Sequence, residues 1–156
     1  MIETSDAPQT VAEQLRNGLR RLGKAVVVIT CWHEGRRWAM TATAVSELSM
    51  DPPSLLVCVN KSASLHGPLT AGADFCVNIL NAEQLAVSRS CSGAKKGEER
   101  FSEGEWGASA LGTPYLRDAQ ANFFCEYEKH IEYGTHAVVI GVVRAVDCSG
   151  DVDPLI

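Results

Sequence analysis

The sequence predicts a mainly β protein, an antiparallel barrel with helices at its periphery. The chain contains at least six short runs that are apolar or alternating and rich in β-branched and aromatic residues. Most runs are joined by tight connections, and there is no strand–helix–strand rhythm of the kind that builds a parallel sheet. The length of 156 residues, with no recognisable linker or repeat, favours a single domain spanning residues 1–156.

The composition is typical of a globular domain and excludes several classes of protein. Hydrophobic residues make up 46% of the chain and charged residues 21%, which argues against a disordered chain, a collagen or a coiled coil. The formal net charge of −5 gives no overall attraction for nucleic acid or an anionic membrane. A local basic pocket could still hold a phosphate.

No targeting or membrane-spanning segment is recognisable. Residues 1–22 lack the apolar core of a signal peptide, and the longest apolar run, residues 25–32, is too short to cross a bilayer. The cysteines form no C-x-x-C pair, and most lie in apolar runs. We therefore expect unpaired, buried thiols and a cytoplasmic location. The cysteines are Cys31, Cys58, Cys76, Cys91, Cys125 and Cys148.

The first predicted element is an amphipathic helix. Thr10 and Glu13 have the spacing of a capping box, in which each side chain accepts a hydrogen bond from the other residue's backbone N–H. Apolar residues follow at helical intervals, and Gly23 is the expected stop. The apolar positions are Val11, Leu15, Leu19 and Leu22.

Six strands are predicted after this helix. One of them, Ala121–Tyr133, alternates apolar with polar residues, as a half-buried antiparallel strand does. Residues 33–37 form a turn, and Asp51-Pro52-Pro53 breaks the chain between two strands. The other five strands are expected at residues 25–31, 38 to about 45, 55–59, 75–80 and 137–146.

Two short helices and one irregular segment interrupt the strands. Ser64 is placed to cap a helix that runs through Leu69, and Asn81 to cap another that ends before Gly93. Residues 92–114 show no regular pattern, and a segment this long in a compact chain is typically functional. Its apolar residues lack a regular element to bury them, which predicts an interface between two copies of the chain. They are Phe101, Trp106 and Leu111.

Two stretches have a composition that suits ligand binding. Residues 41–46 are small and hydroxyl-rich, so a flat ligand could approach their backbone closely. Residues 60–64 combine Lys61, two hydroxyls and a predicted helix start, which can hold a phosphate. Taken alone, a Thr-rich edge strand and a capped turn are the simpler explanations. No group of residues has metal-ligand spacing, so no metal site is expected.

Taken together, these stretches resemble a known family. Residues 40–59 read M-T-A-T-A-V-S-E-L-S-M-D-P-P-S-L-L-V-C-V. This is similar to the core of the short-chain flavin reductases, the NAD(P)H:flavin oxidoreductase components of two-component flavin monooxygenases, and most of all to the 4-hydroxyphenylacetate 3-monooxygenase reductase branch. Further matches occur in order at 75–80 with Glu83-Gln84, Arg100-Phe101 with Trp106, Gly112-Thr113-Pro114 with Leu116, Gly134-Thr135-His136 and Pro154-Leu155-Ile156.

The resemblance implies an FMN-binding split β-barrel, an antiparallel Greek-key fold, that binds FMN or FAD as a homodimer with the flavin near the interface. It also implies hydride transfer from NADH or NADPH to flavin N5 and delivery of reduced flavin to a separate monooxygenase. His136 is the expected catalytic residue, on the nicotinamide side. The expected cofactor-binding residues are Thr41, Ala42, Thr43, Ala44 and Ser46 at the isoalloxazine, Asn60, Lys61, Ser62 and Ser64 at the phosphate, Asn78 as a structural or flavin contact, and Arg100 and Phe101 at the pocket border.

Two alternatives remain open. The chain could be a flavoprotein of the same fold that reduces another acceptor, such as ferric iron, a quinone or a corrinoid. It could also be a non-catalytic flavin- or haem-binding protein, because the residues that bind flavin would be the same in each case.

Overall fold

The computed structural model describes residues 7–156. Its strands are β1 Val27–His33, β2 Arg36–Ala42, β3 Val45–Met50, β4 Pro53–Asn60, β5 Phe75–Ile79, β6 Trp106–Ala108, β7 Pro114–Leu116, β8 Ala121–Tyr133 and β9 His136–Cys148. Its helices are α1 Val11–Leu19, α2 His66–Thr70 and α3 Leu85–Ser90, with a 3-10 helix at Gly97–Phe101. No helix among these residues is long and apolar enough to span a membrane.

Seven strands form one antiparallel sheet in the order β2-β1-β5-β8-β9-β4-β3. The edge strands β2 and β3 are consecutive in the chain, yet within residues 7–156 no hydrogen-bond ladder joins them. The barrel is therefore not closed. Strands β6 and β7 form a separate two-stranded ribbon. The predicted mainly β, antiparallel fold with few helices is confirmed.

The core consists of two apolar clusters that share β1. Val27 and Ile29 belong to the larger cluster with residues of β4, β5 and β9. Val28 points the other way, into a second cluster with Val87 of α3 and Phe101. β1 is thus buried on both faces, as its continuous apolar run predicts. Each such side chain contributes roughly 1.5–3 kcal/mol when it leaves water.

Helix α1 begins with the predicted capping box. Glu13 Oε2 accepts a hydrogen bond from Thr10 N at 2.8 Å, and Thr10 Oγ1 accepts one from Glu13 N at 3.2 Å. The helix ends at Leu19, earlier than the predicted stop at Gly23. Its apolar stripe is exposed, from 50% at Leu19 to 79% at Val11, so the helix does not contribute to either core cluster.

The chain bends sharply between β2 and β3, where a single strand to about residue 45 is predicted. Ala42 ends β2, and Val45 begins β3 after an i→i+2 turn in which Val45 N donates to Thr43 O at 3.0 Å. Ala44 O accepts a hydrogen bond from Cys58 N at 2.9 Å, which fastens the bend to β4. No glycine or proline marks this bend, so the sequence pattern does not reveal it.

The irregular segment is more ordered than its sequence indicates. Phe101 and Trp106 pack edge to face, with ring centroids 4.9 Å apart, as part of the second core cluster. Phe101 is therefore buried and Trp106 half-buried, contrary to the expectation that no element covers them, and the homodimer stays a prediction. Leu111 alone of the three apolar residues is exposed, at 80%.

The predicted absence of disulfides agrees with the structure, in which all six cysteines are free. Burial agrees with the prediction for most of them: four are buried, Cys58 is half-buried and Cys148 is exposed. The buried ones are Cys31, Cys76, Cys91 and Cys125.

Candidate functional site

A cleft of about 500 Å³ opens beside the end of β2. Its size lies within the range of small-molecule sites. Three parts of the chain form its walls: the end of β2, the loop after β4, and the segment between α3 and the 3-10 helix. The lining residues are Met40, Thr41, Ser62, Ala63, Ser64, Cys91, Ser92, Gly93, Lys96, Gly97 and Arg100.

Thr41 joins the end of β2, which is one wall of this cleft, to the end of α3 by two hydrogen bonds. Its backbone N–H donates to Cys91 O at 3.0 Å, and its hydroxyl donates to Ser88 O at 2.6 Å. The hydroxyl oxygen keeps its lone pairs, so Thr41 can still accept a hydrogen bond from a ligand. Thr41 thus lines the cleft, and its contact with a flavin stays a prediction.

The loop after β4 is shaped by Asn60. Its Oδ1 accepts hydrogen bonds from Ser62 N at 2.9 Å and from Ser62 Oγ at 2.8 Å, which forms an Asx turn. Lys61 N donates to Thr135 O at 2.9 Å, so the loop is also held against the start of β9. Asn60 thus orients Ser62 toward the cleft without lining it.

Ser64 does not cap the next helix, contrary to the sequence prediction. Helix α2 begins only at His66, its N-cap position is Leu65, and no side chain caps it. Ser64 is exposed on the cleft wall instead, where its Oγ lies 3.5 Å from Arg100 Nη1. Its hydroxyl is thus placed beside a cation.

Arg100 gives the cleft its fixed positive charge. Its Nε donates to Lys95 O at 2.8 Å and its Nη1 to Ala39 O at 2.7 Å, so the guanidinium is held by two backbone carbonyls. Lys96 adds a second cation, and none of the lining residues is acidic. In a chain of net charge −5, this cleft is a local site of positive potential that suits a phosphate.

The other residues expected at the flavin ring lie along the bend and beyond it. Ala42 packs against the larger core cluster. In the bend that follows it, Thr43 is exposed and Ala44 is half-buried. Ser46 lies in β3 and lines a different groove, of about 410 Å³, with Leu55 among its other walls. The assignment of Ser46 to the same pocket as Thr41 is therefore corrected.

Asn78 is a core residue, so of the two roles expected for it the structural one agrees with its position. It is fully buried, and its Nδ2 donates to Val28 O at 2.8 Å and Thr30 Oγ1 at 3.1 Å. Its Oδ1 accepts from Leu116 N at 3.0 Å and from Asn122 Nδ2 at 2.7 Å. With both polar atoms occupied, the amide joins β1, β5, β7 and β8 and has no group left for a ligand.

Phe101 also lies in the core rather than at the cleft border. It is only 7% exposed, and its ring contacts Trp106 on one side and the Arg37 guanidinium, 4.2 Å from the ring centroid, on another. Its assignment as a cofactor contact is therefore corrected. By anchoring the 3-10 helix, Phe101 positions the preceding residue, Arg100.

His136 begins β9 and pairs with Asn60 across the β4–β9 ladder. Its Nδ1 lies 2.8 Å from Thr135 Oγ1. The histidine is therefore next to the loop after β4 but is not among the residues that line the cleft. Lys61 does not line the cleft either, and its Nζ lies 3.8 Å from Glu132 Oε2.

The cleft wall formed by residues 91–97 is not among the ligand-binding stretches predicted from the sequence. Lys96 carries its charge, and Gly93 leaves open space at the position where a Cβ would stand. The only available signal was the basic, glycine-containing run within the irregular segment.

The Cys91 thiol on this wall is no nucleophile, because burial raises its pKa to about 12 and keeps it protonated. Within residues 7–156, no cluster of three or more His, Cys, Asp or Glu residues could hold a metal ion.

Comparison with known proteins gives a consistent set of similarities. The family described as "Flavin reductase like domain" matches residues 19–156. The reductase component of an FADH(2)-dependent resorcinol hydroxylase from a Rhizobium species is 43% identical over 152 residues, covering 96% of this chain and 85% of that protein. The FMN reductase (NADH) RutF of Variovorax paradoxus is 39% identical over 153 residues, covering 97% and 85%.

A solved structure shows the same fold. The NADH:FAD oxidoreductase of Streptomyces globisporus, in complex with NAD and FAD fragments, superposes with a TM-score of 0.80 at 28% identity. The superposition covers 87% of this chain and 81% of that one.

Proposed function

The chain belongs to the flavin reductase-like family, and from this premise we propose that it is an NADH:flavin oxidoreductase. The observation that carries the proposal is the basic cleft beside Thr41, where Arg100 and Lys96 are accompanied by hydroxyl groups and no acid. Relatives that are 39–43% identical carry the names of an FMN reductase (NADH) and a hydroxylase reductase component. The proposal extends that activity to this protein.

The residues of the cleft fit a flavin phosphate and the edge of a flavin ring. Arg100, Lys96 and the hydroxyl of Ser64 offer donors of the kind that a phosphate requires. The ring would lie against residues 41–44, whose side chains are small enough for close approach to the backbone. Asn60 would act indirectly by holding the Ser62 turn, and Lys61 would contribute charge at the loop.

Flavin, when bound, supplies the redox chemistry and accepts a hydride at N5 from reduced nicotinamide. The protein has to bind both molecules, orient them face to face and keep them in contact. No nucleophile is needed, in agreement with the protonated Cys91 thiol. We propose that His136, oriented by the Thr135 hydroxyl at 2.8 Å, contacts the nicotinamide from the side of the loop after β4.

We further propose that reduced flavin leaves for a separate monooxygenase, as the name of the Rhizobium relative implies for that protein. The proposed assembly is a homodimer of a single-domain chain. Its support is the exposed apolar surface of α1 and Leu111, which residues 7–156 of one copy leave uncovered.

Steady-state oxidation of NADH with free FMN and free FAD tests the function. We expect NADH to be oxidised with free flavin as the acceptor, and the reduced flavin then to be released from the protein. Flavin that stays bound through gel filtration while the protein reduces ferric iron, a quinone or a corrinoid would favour the alternative acceptors. Flavin or haem binding without NADH oxidation would favour a non-catalytic binding protein. Absence of flavin binding at tens of micromolar, about 6 kcal/mol of affinity, would overturn the proposal.

A further inference from the structure

Arg37 of β2 contacts both ends of the 3-10 helix that carries Arg100. Its guanidinium forms an ion pair with Glu98 near the start of this helix and lies 4.2 Å from the centroid of the Phe101 ring at its end. Arg37 is not among the residues that line the cleft beside the end of β2. Apart from its charge, it can therefore affect a ligand in that cleft only through the residues that it contacts.

The 3-10 helix, Gly97–Phe101, has little stability of its own. It is five residues long, and no side chain caps its start at Lys96. The hydrogen bonds of a 3-10 helix also have poorer geometry than those of an α-helix. The bond from Arg100 Nε to Lys95 O is local, so it does not fix the helix to the sheet. The position of the helix relative to β2 therefore depends on contacts with that strand.

Three contacts join this helix to β2. Arg100 Nη1 donates a hydrogen bond to Ala39 O at 2.7 Å. The Phe101 ring lies against the Arg37 guanidinium, and Glu98 pairs with the same guanidinium. Two of the three contacts thus involve Arg37. Without it, the bond to Ala39 O would be the one polar link between helix and strand within residues 7–156.

Glu98 is an acid next to the proposed phosphate site, where a negative charge opposes the binding of an anion. Its ion pair with Arg37 offsets this charge and turns the carboxylate into an attachment point of the helix. An exposed ion pair alone contributes little to stability. Here the guanidinium is also stacked on the Phe101 ring, and a planar group held at two places has a fixed orientation.

We propose that Arg37 is a positioning residue for the phosphate site. Paired with Glu98 and stacked on Phe101, it holds the 3-10 helix so that the Arg100 guanidinium stays in the cleft wall. The inference rests on the proposed function and adds to it a residue that supports the site from outside. Supporting contacts of this kind keep a binding group in its productive geometry. Arg37 thus raises the affinity for a phosphate-bearing flavin without touching it.

Glu98→Gln tests the proposal, because positioning and simple charge predict opposite results for it. The Kd values of FMN and of riboflavin, which has the same ring without the phosphate, are measured by fluorescence titration. We expect the Kd of FMN to rise roughly threefold in Glu98→Gln and roughly five- to tenfold in Arg37→Ala, while the Kd of riboflavin stays within about twofold in both. Removal of a negative charge alone would instead lower the Kd of FMN in Glu98→Gln, and that result would overturn the proposal.

The effect of Arg37 should also depend on Arg100. In an Arg100→Ala background, we expect Arg37→Ala to change the Kd of FMN by no more than about twofold, because residues that act through one another are not additive. Arg37→Lys should recover part of the affinity in the wild-type background, since it keeps the charge but not the planar group. An equal factor for Arg37→Ala in both backgrounds would show that Arg37 acts independently, against the proposal.

The matched control is Arg36→Ala. It removes the adjacent arginine, whose guanidinium lies on the opposite face of β2, 4.1 Å from the centroid of the Trp38 ring. It should leave both Kd values within about twofold of the wild type, and melting temperatures should show that all variants are folded. An equal loss of FMN affinity in Arg36→Ala and Arg37→Ala, or an equal loss of FMN and riboflavin affinity in Arg37→Ala, would overturn the proposal. Failure of the wild type to bind any flavin would instead overturn the proposed function.

Discussion

Arg100 Nη1 lies 2.7 Å from the carbonyl oxygen of Ala39, and this hydrogen bond joins the 3-10 helix to the middle of β2. The two residues are 61 positions apart in the chain. Because Nε of the same guanidinium binds Lys95 O, the side chain is fixed before any ligand arrives. A preorganised cation loses little conformational entropy when an anion binds to it.

Replacement of Arg100 should weaken the binding of both flavins. Arg100→Ala is expected to raise the Kd of FMN and of FAD by roughly 10- to 100-fold, since a hydrogen bond to a charged group contributes about 1.5–3 kcal/mol. Arg100→Lys should recover only part of this, because an ammonium cannot reproduce the guanidinium fork. Fluorescence titration measures both, with Arg16→Ala on α1 as the control. Wild-type affinity in Arg100→Ala would remove the arginine from the phosphate site.

Gly93 offers a way to fill the first cleft without disturbing the fold. A Cβ at this position would meet no atom within 4 Å, and its φ is not positive, so a side chain can be added without strain. Gly93→Phe should therefore lower flavin affinity at least about tenfold and leave the melting temperature unchanged. Gly18→Phe, at an equally open position on α1, should affect neither. Unchanged flavin affinity in Gly93→Phe would place the flavin elsewhere.

His136→Ala distinguishes a role in nicotinamide binding from a role in the turn. If His136 contacts nicotinamide, its loss should raise the KM for NADH or lower kcat, by an amount that corresponds to roughly 1–3 kcal/mol. Flavin affinity and melting temperature should barely move. If the ring only supports the turn through Thr135, the melting temperature should fall while turnover per folded molecule stays intact. A variant with wild-type kcat/KM would exclude His136 from the site.

Asn78→Ala should destabilise the protein without acting selectively on flavin. The substitution removes one hydrogen-bond partner from each of three buried groups, which are Leu116 N, Val28 O and Asn122 Nδ2. Each orphaned buried group costs about 1–3 kcal/mol, so the free energy of unfolding should fall by roughly 3–5 kcal/mol. Urea denaturation measures this loss. A variant of normal stability that no longer bound flavin would restore Asn78 as a ligand contact.

The cysteines should differ in reactivity and make stability depend on alkaline pH. Burial raises the pKa of the Cys31, Cys91 and Cys125 thiols to about 12 and raises the pKa of Cys76 as well, from the ordinary thiol value of 9.0. Their neutral forms stabilise the fold fully below about pH 9, and this contribution is lost as the pH rises toward the folded pKa values.

In native protein, Cys148 should therefore react rapidly with a thiol reagent at pH 8, and the four buried thiols should react only on unfolding. Denaturant midpoints between pH 8 and pH 11 should fall as the pH rises. Rapid labelling of more than two thiols in the folded protein, or a midpoint independent of pH, would contradict the burial of these side chains.

The features that could be predicted from the sequence depend on local patterns. The capping box of Thr10 and Glu13 involves residues three positions apart, and the bounds of β8 are given by simple alternation along Ala121–Tyr133. The end of that strand is an instructive exception, because Tyr133 is 82% exposed despite its apolar register. Within residues 7–156, the tip of the β8–β9 hairpin is left exposed, at 56% for Ile131 and 82% for Tyr133, and alternation alone does not show what a strand face will contact.

The site was predictable in part. The residue assignments that differ from the structure depend on contacts between residues that are distant in sequence. Thr41, Ser62, Ser64 and Arg100 line one cleft, and their role in flavin binding stays a prediction. Asparagine is a residue type that can contact a ligand, but the hydrogen-bond partners of Asn78 lie up to 50 positions away in the chain, and no local pattern reveals them. The cleft wall at Lys96 was not identified because its position depends on the packing of α3 against β2.

The attachment of β2 to α3 also has a consequence for how the protein behaves in concentrated solution. β2 is an edge strand, and an uncovered edge offers unpaired N–H and C=O groups on which a second chain can add as a further strand. At Thr41 the edge N–H is already bound to Cys91 O, and at Ala39 the carbonyl is bound to Arg100. The loop and the guanidinium that shape the cleft thereby cover the sheet edge, so protection from β-type aggregation and ligand binding depend on the same few hydrogen bonds.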